Sequence, residues 1–214
     1  MAIDRNYIYE KTMFYLKKES KFFTSAEVVS IISTDAFRRI AEEIGYPKTS
    51  HSSTLTSGAW VVSSPIDFVK IDTNLQATYS DGITTVDLKP KEQWNIGRSA
   101  VLTATPGVPQ YYFMETENKI GINPPSYTTS GVVAIPYVKV PTTLSSGGST
   151  NELTEKCYMA AVYWTVSECL LKDSDERSQA FREMYNNEIS RLKSQYNMMF
   201  DIRRDLKPHQ DYIG

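Results

Sequence analysis

The chain has 214 residues, a formal net charge of −2, 41% hydrophobic residues and 22% charged ones. That length suits one or two domains that bury roughly 70% of the unfolded surface. The near-neutral balance excludes a global basic field for nucleic acid or anionic lipid, and no apolar run approaches the roughly 20 residues that cross a bilayer. The start, Met1-Ala2-Ile3-Asp4-Arg5, has no long apolar core, so export by a signal peptide is not expected.

In chain order, a first helix is predicted over about residues 4–19. Thr24-Ser25-Ala26-Glu27 has capping-box spacing, with Thr24 as N-cap and Glu27 at N3. Val29, Ile32, Ala36, Ile40 and Ile44 follow on one helical face, and Gly45 with Pro47 ends the helix. Residues 49–150 then hold 28 of the 42 Ser and Thr and 8 of the 10 prolines, but only 13 of the 48 charged residues. That composition predicts strands and turns. Thr49 to Thr54, which includes His51, reads as a polar loop. Strands are expected at Ala59–Val62, Phe68–Ile71, Asn74–Thr78 and Ile83–Leu88, the last two joined by a turn at Tyr79-Ser80-Asp81-Gly82. Gln110–Glu115 and Lys119–Ile122 flank a second tight turn, and Val132–Val140 is a final strand whose Pro136 predicts an edge or bulge. Ser145 to Ser149 reads as a flexible link.

Two more helices follow. One starts near Thr150 or Asn151 and buries Leu153, Cys157, Ala160, Ala161, Trp164 and Leu171. The acidic run Asp173 to Glu176 breaks it and caps the next, which carries Phe181, Met184, Tyr185, Ile189, Leu192 and Tyr196 on one stripe. Its opposite side is charged, with Arg177, Arg182, Glu183, Glu188, Arg191 and Lys193. The short break predicts an antiparallel hairpin. The fold class is therefore α+β: a helical bundle from the N- and C-terminal segments, with an inserted antiparallel β domain and an extended C-terminal tail. The expected parts are 1–48 and 151–200 for the bundle, 49–150 for the insert and 201–214 for the tail.

Reactive constellations are sparse. His51 and His209 stand without a nucleophile elbow. Ser146-Gly147-Gly148-Ser149 lacks the Gly-Lys-Ser/Thr of a phosphate loop. The carboxylate pairs Glu42 and Glu43, Asp173 and Asp175, and Glu152 and Glu155 fall where caps and solvated faces are expected. Cys157 and Cys169 would lie about 18 Å apart along one helix, too far for a disulfide, and the chain offers little for a zinc site. An enzyme is not expected, nor a metal or other cofactor. A ligand-binding reading remains, in which Trp60, Trp94 and Tyr111-Tyr112-Phe113 stack a glycan or base. The tail ends with Arg203, Arg204, Tyr212 and Ile213, a mixture that suits ordering on a partner.

One ordered set of motifs goes beyond generic pattern. Gly107-Val108-Pro109-Gln110-Tyr111-Tyr112 precedes Ile120-Gly121-Ile122-Asn123-Pro124-Pro125, then Val133-Ala134-Ile135-Pro136-Tyr137 and Pro141-Thr142-Thr143-Leu144. This order resembles the head-to-tail connector proteins of tailed bacteriophages, the adaptor or tail tubular type. Pro124-Pro125 departs from the Pro-x-Pro-like turn of that pattern. Gly107, Pro109, Tyr111, Pro124 and Tyr137 act in this reading as scaffold. The resemblance implies a non-enzymatic virion protein assembled in the bacterial cytoplasm and placed at the neck of the particle. It implies a homo-oligomeric ring of about twelve copies, bound to the portal protein above and a tail protein below. Double-stranded DNA would pass through without sequence-specific contacts, and no membrane is involved. Arg177, Arg182 and Arg191 are the expected inter-subunit contacts, and Arg203, Arg204, Tyr212 and Ile213 the portal-docking anchors.

Overall fold

The computed structural model describes residues 3–17, 23–91 and 104–205, with side chains as far as Tyr196. The fold is α+β and divides into two compact units. One is formed by residues up to Ile44 together with those from Pro141 onward, and the other by Gly45–Val140.

The helical unit contains α1 (Arg5–Leu16), α2 (Ser25–Ser30), a π-helical turn (Ile31–Ala36), α3 (Phe37–Ile44), α4 (Thr154–Lys172) and α5 (Arg177–Asp205). Asp4 caps α1 by accepting the Tyr7 N–H at 2.9 Å. The expected capping box is present: Thr24 Oγ1 accepts the Glu27 N–H at 3.2 Å, and Glu27 accepts the Thr24 N–H at 2.7 Å. The buried residue opening this stretch is Val28 rather than Val29, followed by Ile32, Ala36, Ile40 and Ile44. A row of four-residue steps drifts around a straight α-helix. The wider π turn takes up an extra residue and returns the row to one face. Gly45, at φ +70, then stops the helix in the left-handed region.

α4 and α5 pack as a hairpin. α1 lies on α4, and α3 touches both α4 and α5, so the chain's first and last segments share one core. Ile8, Phe37, Ile40, Val162, Tyr185 and Ile189 are buried there. Leu171 and Met184, expected inside, are 58% and 45% exposed, while Cys169 and Leu170 are buried instead. Ser145–Ser149 is not a free link. The Arg5 N–H donates to Ser149 C=O at 3.1 Å and the Asn6 N–H to Gly147 C=O at 3.0 Å, which satisfies the open donors of α1.

The second unit is an eight-stranded sheet: β1 (Lys48–Leu55), β2 (Val61–Ser63), β3 (Phe68–Ile71), β4 (Ala77–Ser80), β5 (Thr85–Pro90), β6 (Tyr111–Thr116), β7 (Lys119–Asn123) and β8 (Gly131–Lys139). The order is β1-β8-β4-β5-β6-β7-β2, with β3 also paired to β8. Among the described strands the pairings are antiparallel except β5–β6, which is parallel through Lys89↔Tyr111 and Pro90↔Tyr112. The long connection between those two strands lets the chain return to its starting end before pairing. Leu55 of β1 and Val62 of β2, from the two ends of the strand order, share a core cluster with Tyr79, Leu88, Tyr112, Ile122 and Ile135. The sheet therefore curls into a nearly barrel-like form.

Three features differ from the sequence reading. The predicted polar loop around His51 is strand β1, paired with β8 along its whole length from Lys48↔Val138 to Leu55↔Gly131. Tyr79 is a fully buried strand residue rather than a turn residue, and the turn begins at Asp81. Pro136 lies inside the sheet's most heavily paired strand. Its C=O accepts the Asp72 N–H at 3.0 Å, so its missing N–H faces the same side. On that side β4 ends at Ala134 and β3 begins at Tyr137. The proline thus sits at the handover between two partner strands, where no ladder bond is lost.

Gly121 faces Phe113 across β6–β7, and a Cβ there would come within 2.3 Å of the Phe113 ring. Gly121→Ala is expected to lower stability by about 1–3 kcal/mol through overpacking, read as a lower urea midpoint. An unchanged midpoint would show that the ring moves aside freely.

Candidate assembly site

His51 is half-buried on β1 opposite Ile135, inside a strand rather than in a reactive loop. Cys157 and Cys169 lie on α4, both free and buried, and burial pushes each thiol up to about 12. Thiols so protonated are poor nucleophiles and metal ligands. Among the described residues no group of His, Cys, Asp and Glu is arranged to hold a metal ion. No helix among them is long and apolar enough to cross a membrane.

The aromatic platform of the ligand-binding reading is not assembled. Tyr112 and Phe113 are each 3% exposed, Tyr112 in the main sheet core and Phe113 in a separate contact with Trp60. Neighbouring residues of a strand point to opposite faces, so the two rings cannot form one surface. Tyr111 is half-buried with the Lys91 ammonium 4.7 Å from its ring centre. Trp94 lies outside the described residues.

The motif residues have scaffold surroundings. The Gly107 N–H donates to Pro125 C=O at 2.8 Å, and a Cβ on Gly107 would press on the Pro124 ring at 3.3 Å. Following Pro109, the Gln110 N–H bonds Asn123 C=O at 3.0 Å, and Tyr111 pairs with Asn123. Gly107, Pro109, Tyr111 and Pro124 therefore gather at one end of β6–β7. Tyr137 stands elsewhere, on β8. It stacks on Phe68 with ring centres 5.7 Å apart, and its hydroxyl donates to Asp67 Oδ1 at 2.8 Å. Burial and that carboxylate raise its hydroxyl pKa to about 12.

Each of the three arginines expected at subunit contacts has a partner within the chain. Arg177 holds Asp175 at 2.6 Å, and Arg191 holds Glu188. Arg182 bonds Glu168 at 2.8 Å and lies 4.2 Å from the centre of the Trp164 ring. Arg177 and Arg191 are exposed, whereas Arg182 is half-buried. The last helix continues to Asp205, so Arg203 and Arg204 are in helical backbone rather than in an extended tail. Tyr212 and Ile213 lie outside the described residues.

Sequence reasoning missed two features. Arg39 approaches Trp164 to 5.5 Å from the other helix of the set, completing a clasp across α3, α4 and α5. In the β4–β5 turn, Asp81 accepts from the Ile83 and Thr84 N–H groups at 2.9 and 2.7 Å and from the Tyr127 hydroxyl. The Tyr127 bond foremost lowers the Asp81 pKa to about 2. Asp81-Gly82 in the sequence signals this turn, but the Tyr127 bond spans 46 positions and leaves no local mark.

The described residues thus show a sheet unit inserted into a helical unit, with a scaffold motif at 107–125. The SU10 adaptor protein family model matches residues 13–205. The chain belongs to this family. It is a phage structural adaptor, and the expected kinship with phage adaptors holds at that level. No curated protein matches it.

Because burial raises both thiols from an ordinary 9 to about 12, the folded state holds protons that the unfolded chain releases. Their contribution to stability is complete below pH 9 and is lost as pH rises toward 12. A disulfide reagent at pH 8 is expected to leave the folded protein unlabelled and to label both cysteines in urea. Rapid labelling of the native chain would contradict the burial.

Proposed function

We propose that this adaptor is the head-to-tail type: about twelve copies close into a ring below the portal, and double-stranded DNA passes through the opening. The observation that carries this reading is the joining of the chain's first and last segments into one helical unit, with the sheet unit as an insertion, in a chain matched by an adaptor family over 13–205. Such a helical unit is a self-sufficient building block, and identical blocks meeting through two different faces close into a ring.

The arginines divide in this scheme. Arg177 and Arg191 have side chains 48% exposed, and each pairs with a carboxylate close by in sequence. Exchange of those partners for a neighbour's carboxylates costs little, because exposed pairs contribute little. Arg182 is tied to Trp164 and Glu168 and positions α5 instead. The segment from Arg203 and Arg204 to Tyr212 and Ile213 docks on the portal, and the sheet unit meets the next tail protein. The ring sits at the neck of the virion, after assembly in the host cytoplasm. With six Lys and Arg among residues 49–150 and a net charge of −2, the channel does not hold DNA by phosphate contacts.

Electron microscopy of the chain mixed with its portal is expected to show a ring seated on the portal, with a lumen not dominated by Lys and Arg. A portal that remains bare, or a lumen lined mainly by basic side chains, overturns the reading. Deletion of 201–214 is expected to lower incorporation into portal-bearing capsids by about tenfold or more, as loss of a few central contacts does. Wild-type incorporation would remove the docking role of the tail.

A further inference from the structure

Two isoleucines of the sheet unit are fully exposed, Ile66 at 106% and Ile83 at 96%. Both stand at the centre of a tight turn. The Phe68 N–H donates to Pro65 C=O at 3.1 Å, which closes a turn over Ile66 and Asp67. The Asp81 N–H donates to Thr84 C=O at 3.2 Å, which closes another over Gly82, at φ +90, and Ile83. Turn chemistry selects Gly, Asn, Asp and Ser at such centres, not a stiff β-branched side chain. A local rule is broken most often where function needs it broken.

Each turn is also held still. The Asp67 side chain accepts the Tyr137 hydroxyl at 2.8 Å, its C=O accepts the Val140 N–H at 2.7 Å, and the Ser64 N–H reaches Asn118 C=O at 3.0 Å. Asp81 accepts the Ile83 and Thr84 N–H groups and the Tyr127 hydroxyl. Both isoleucines are thus presented on braced backbone, and a contact made there costs little further ordering.

The two turns project from opposite ends of the unit. β3 and β4 lie on the same flank of β8, across from β1, and both run antiparallel to β8. Phe68, just after the first turn, pairs with Lys139, and Ser80, just before the second, pairs with Val132. The seven steps from Val132 to Lys139 span about 24 Å. The surroundings differ too. Lys119 and Lys139 pair with Ser63 and Phe68 on either side of the first turn, with Glu117 in the neighbouring turn. Around the second, residues 80–85 and 126–132 contain one charged residue, Asp81, beside the exposed Tyr127 and Val132.

We propose that the Ile83 end of one copy's sheet unit packs on the Ile66 end of the next copy in the assembled ring. Two unlike patches of one chain make a heterologous contact, which repeats head to tail and forms a ring when the rotation between copies closes. A contact of either end with itself would stop at a pair. Every copy brings both patches, so one kind of contact covers both isoleucines all the way round. The charges agree in sign, because Asp81 of one copy meets the lysines beside Ile66 of the next. The inference rests on the ring reading above, and it adds which parts of the sheet unit make a lateral contact.

The test is cross-linking of the full chain assembled on its portal. Cys157 and Cys169 are buried, so introduced thiols are the ones a short bis-maleimide reaches. The chain carrying both Ile66→Cys and Ile83→Cys is expected to give a ladder of covalent oligomers, and either substitution alone to give monomer. Dimers from a single substitution would show an end meeting itself and overturn the inference. Rings in which the doubly substituted chain stays monomeric, or links only to a different virion protein, also overturn it and leave the ring reading standing. Charge exchange gives a second readout. Ile83→Lys and Ile66→Glu, each on a fully exposed side chain, are each expected to keep the wild-type melting temperature and lower the yield of rings about tenfold or more. Together in one chain they set opposite charges across the contact, and the yield is expected to rise several-fold again. Full yield from both single variants contradicts the inference. If the wild-type chain forms no ring on the portal, the ring reading fails first and the inference fails with it.

Discussion

The indole of Trp164 is gripped by two guanidinium groups, Arg182 at 4.2 Å and Arg39 at 5.5 Å from the ring centre. This clasp joins helices from opposite ends of the sequence. Arg39 also holds Glu43 at 2.8 Å, and Glu43 accepts the Tyr185 hydroxyl at 3.1 Å, so α3 is fastened to α5 as well as to α4. Each partly exposed cation–π contact is worth only about 0.5–1 kcal/mol. The bulk of the stabilisation comes from burying Phe37, Ile40, Ile44, Tyr185 and Ile189. The clasp supplies register: it accepts one rotation of α3 against the hairpin, whereas an apolar stripe accepts several. Since the sheet unit is inserted between Ile44 and Pro141, both of its chain ends are held by residues of one folded unit.

Register within the first long helical stretch has its own device. The apolar row from Val28 to Ile44 could not stay on one face of a uniform α-helix, and the π turn at Ile31–Ala36 corrects it just where α4 packs on the turn. The start of that stretch is tied by the capping box, and Glu27 additionally reaches Lys172 at the far end of α4. A residue that serves as N3 carboxylate and as cross-helix partner links local and tertiary order. Both partners lower the pKa of Glu27, the Lys172 hydrogen bond more than the Thr24 one.

Features written in neighbouring residues were legible in the sequence. The capping box, the stop at Gly45, the Asp173–Glu176 break and strands such as Phe68–Ile71 follow from spacings of a few positions. β1 was illegible because both of its faces are polar; Ser50, Ser52 and Thr54 face out while Thr49, His51 and Ser53 face in, and only Leu55 is apolar. The Ser145–Ser149 segment read as flexible because its restraint comes from α1, some 140 positions away. Periodicity sets Trp164 on the apolar stripe of its helix and Arg182 on the charged side of the next, yet Arg182 turns back onto Trp164 and Glu168, and nothing in either helix announces Arg39. The parallel β5–β6 pairing is likewise a property of where a long connection returns, not of either strand's composition.

The sheet unit illustrates why a near-neutral segment can still be rigid. Its loops are tied largely by tyrosine hydroxyls: Tyr79 to Ser126 Oγ at 3.1 Å, Tyr127 to Asp81, and Tyr137 to Asp67 at 2.8 Å. Each joins positions at least 46 apart and adds no positive charge to the surface. The phenol supplies a donor at any pH below its own ionisation, which burial moves up to about 12 for Tyr137, and Asp81 stays ionised down to about 2. A lysine or arginine in the same roles would tie the loops equally well but would add a cation to the surface of the sheet unit. Phenol ties avoid that addition, so loop order and low basicity are obtained from the same side chains.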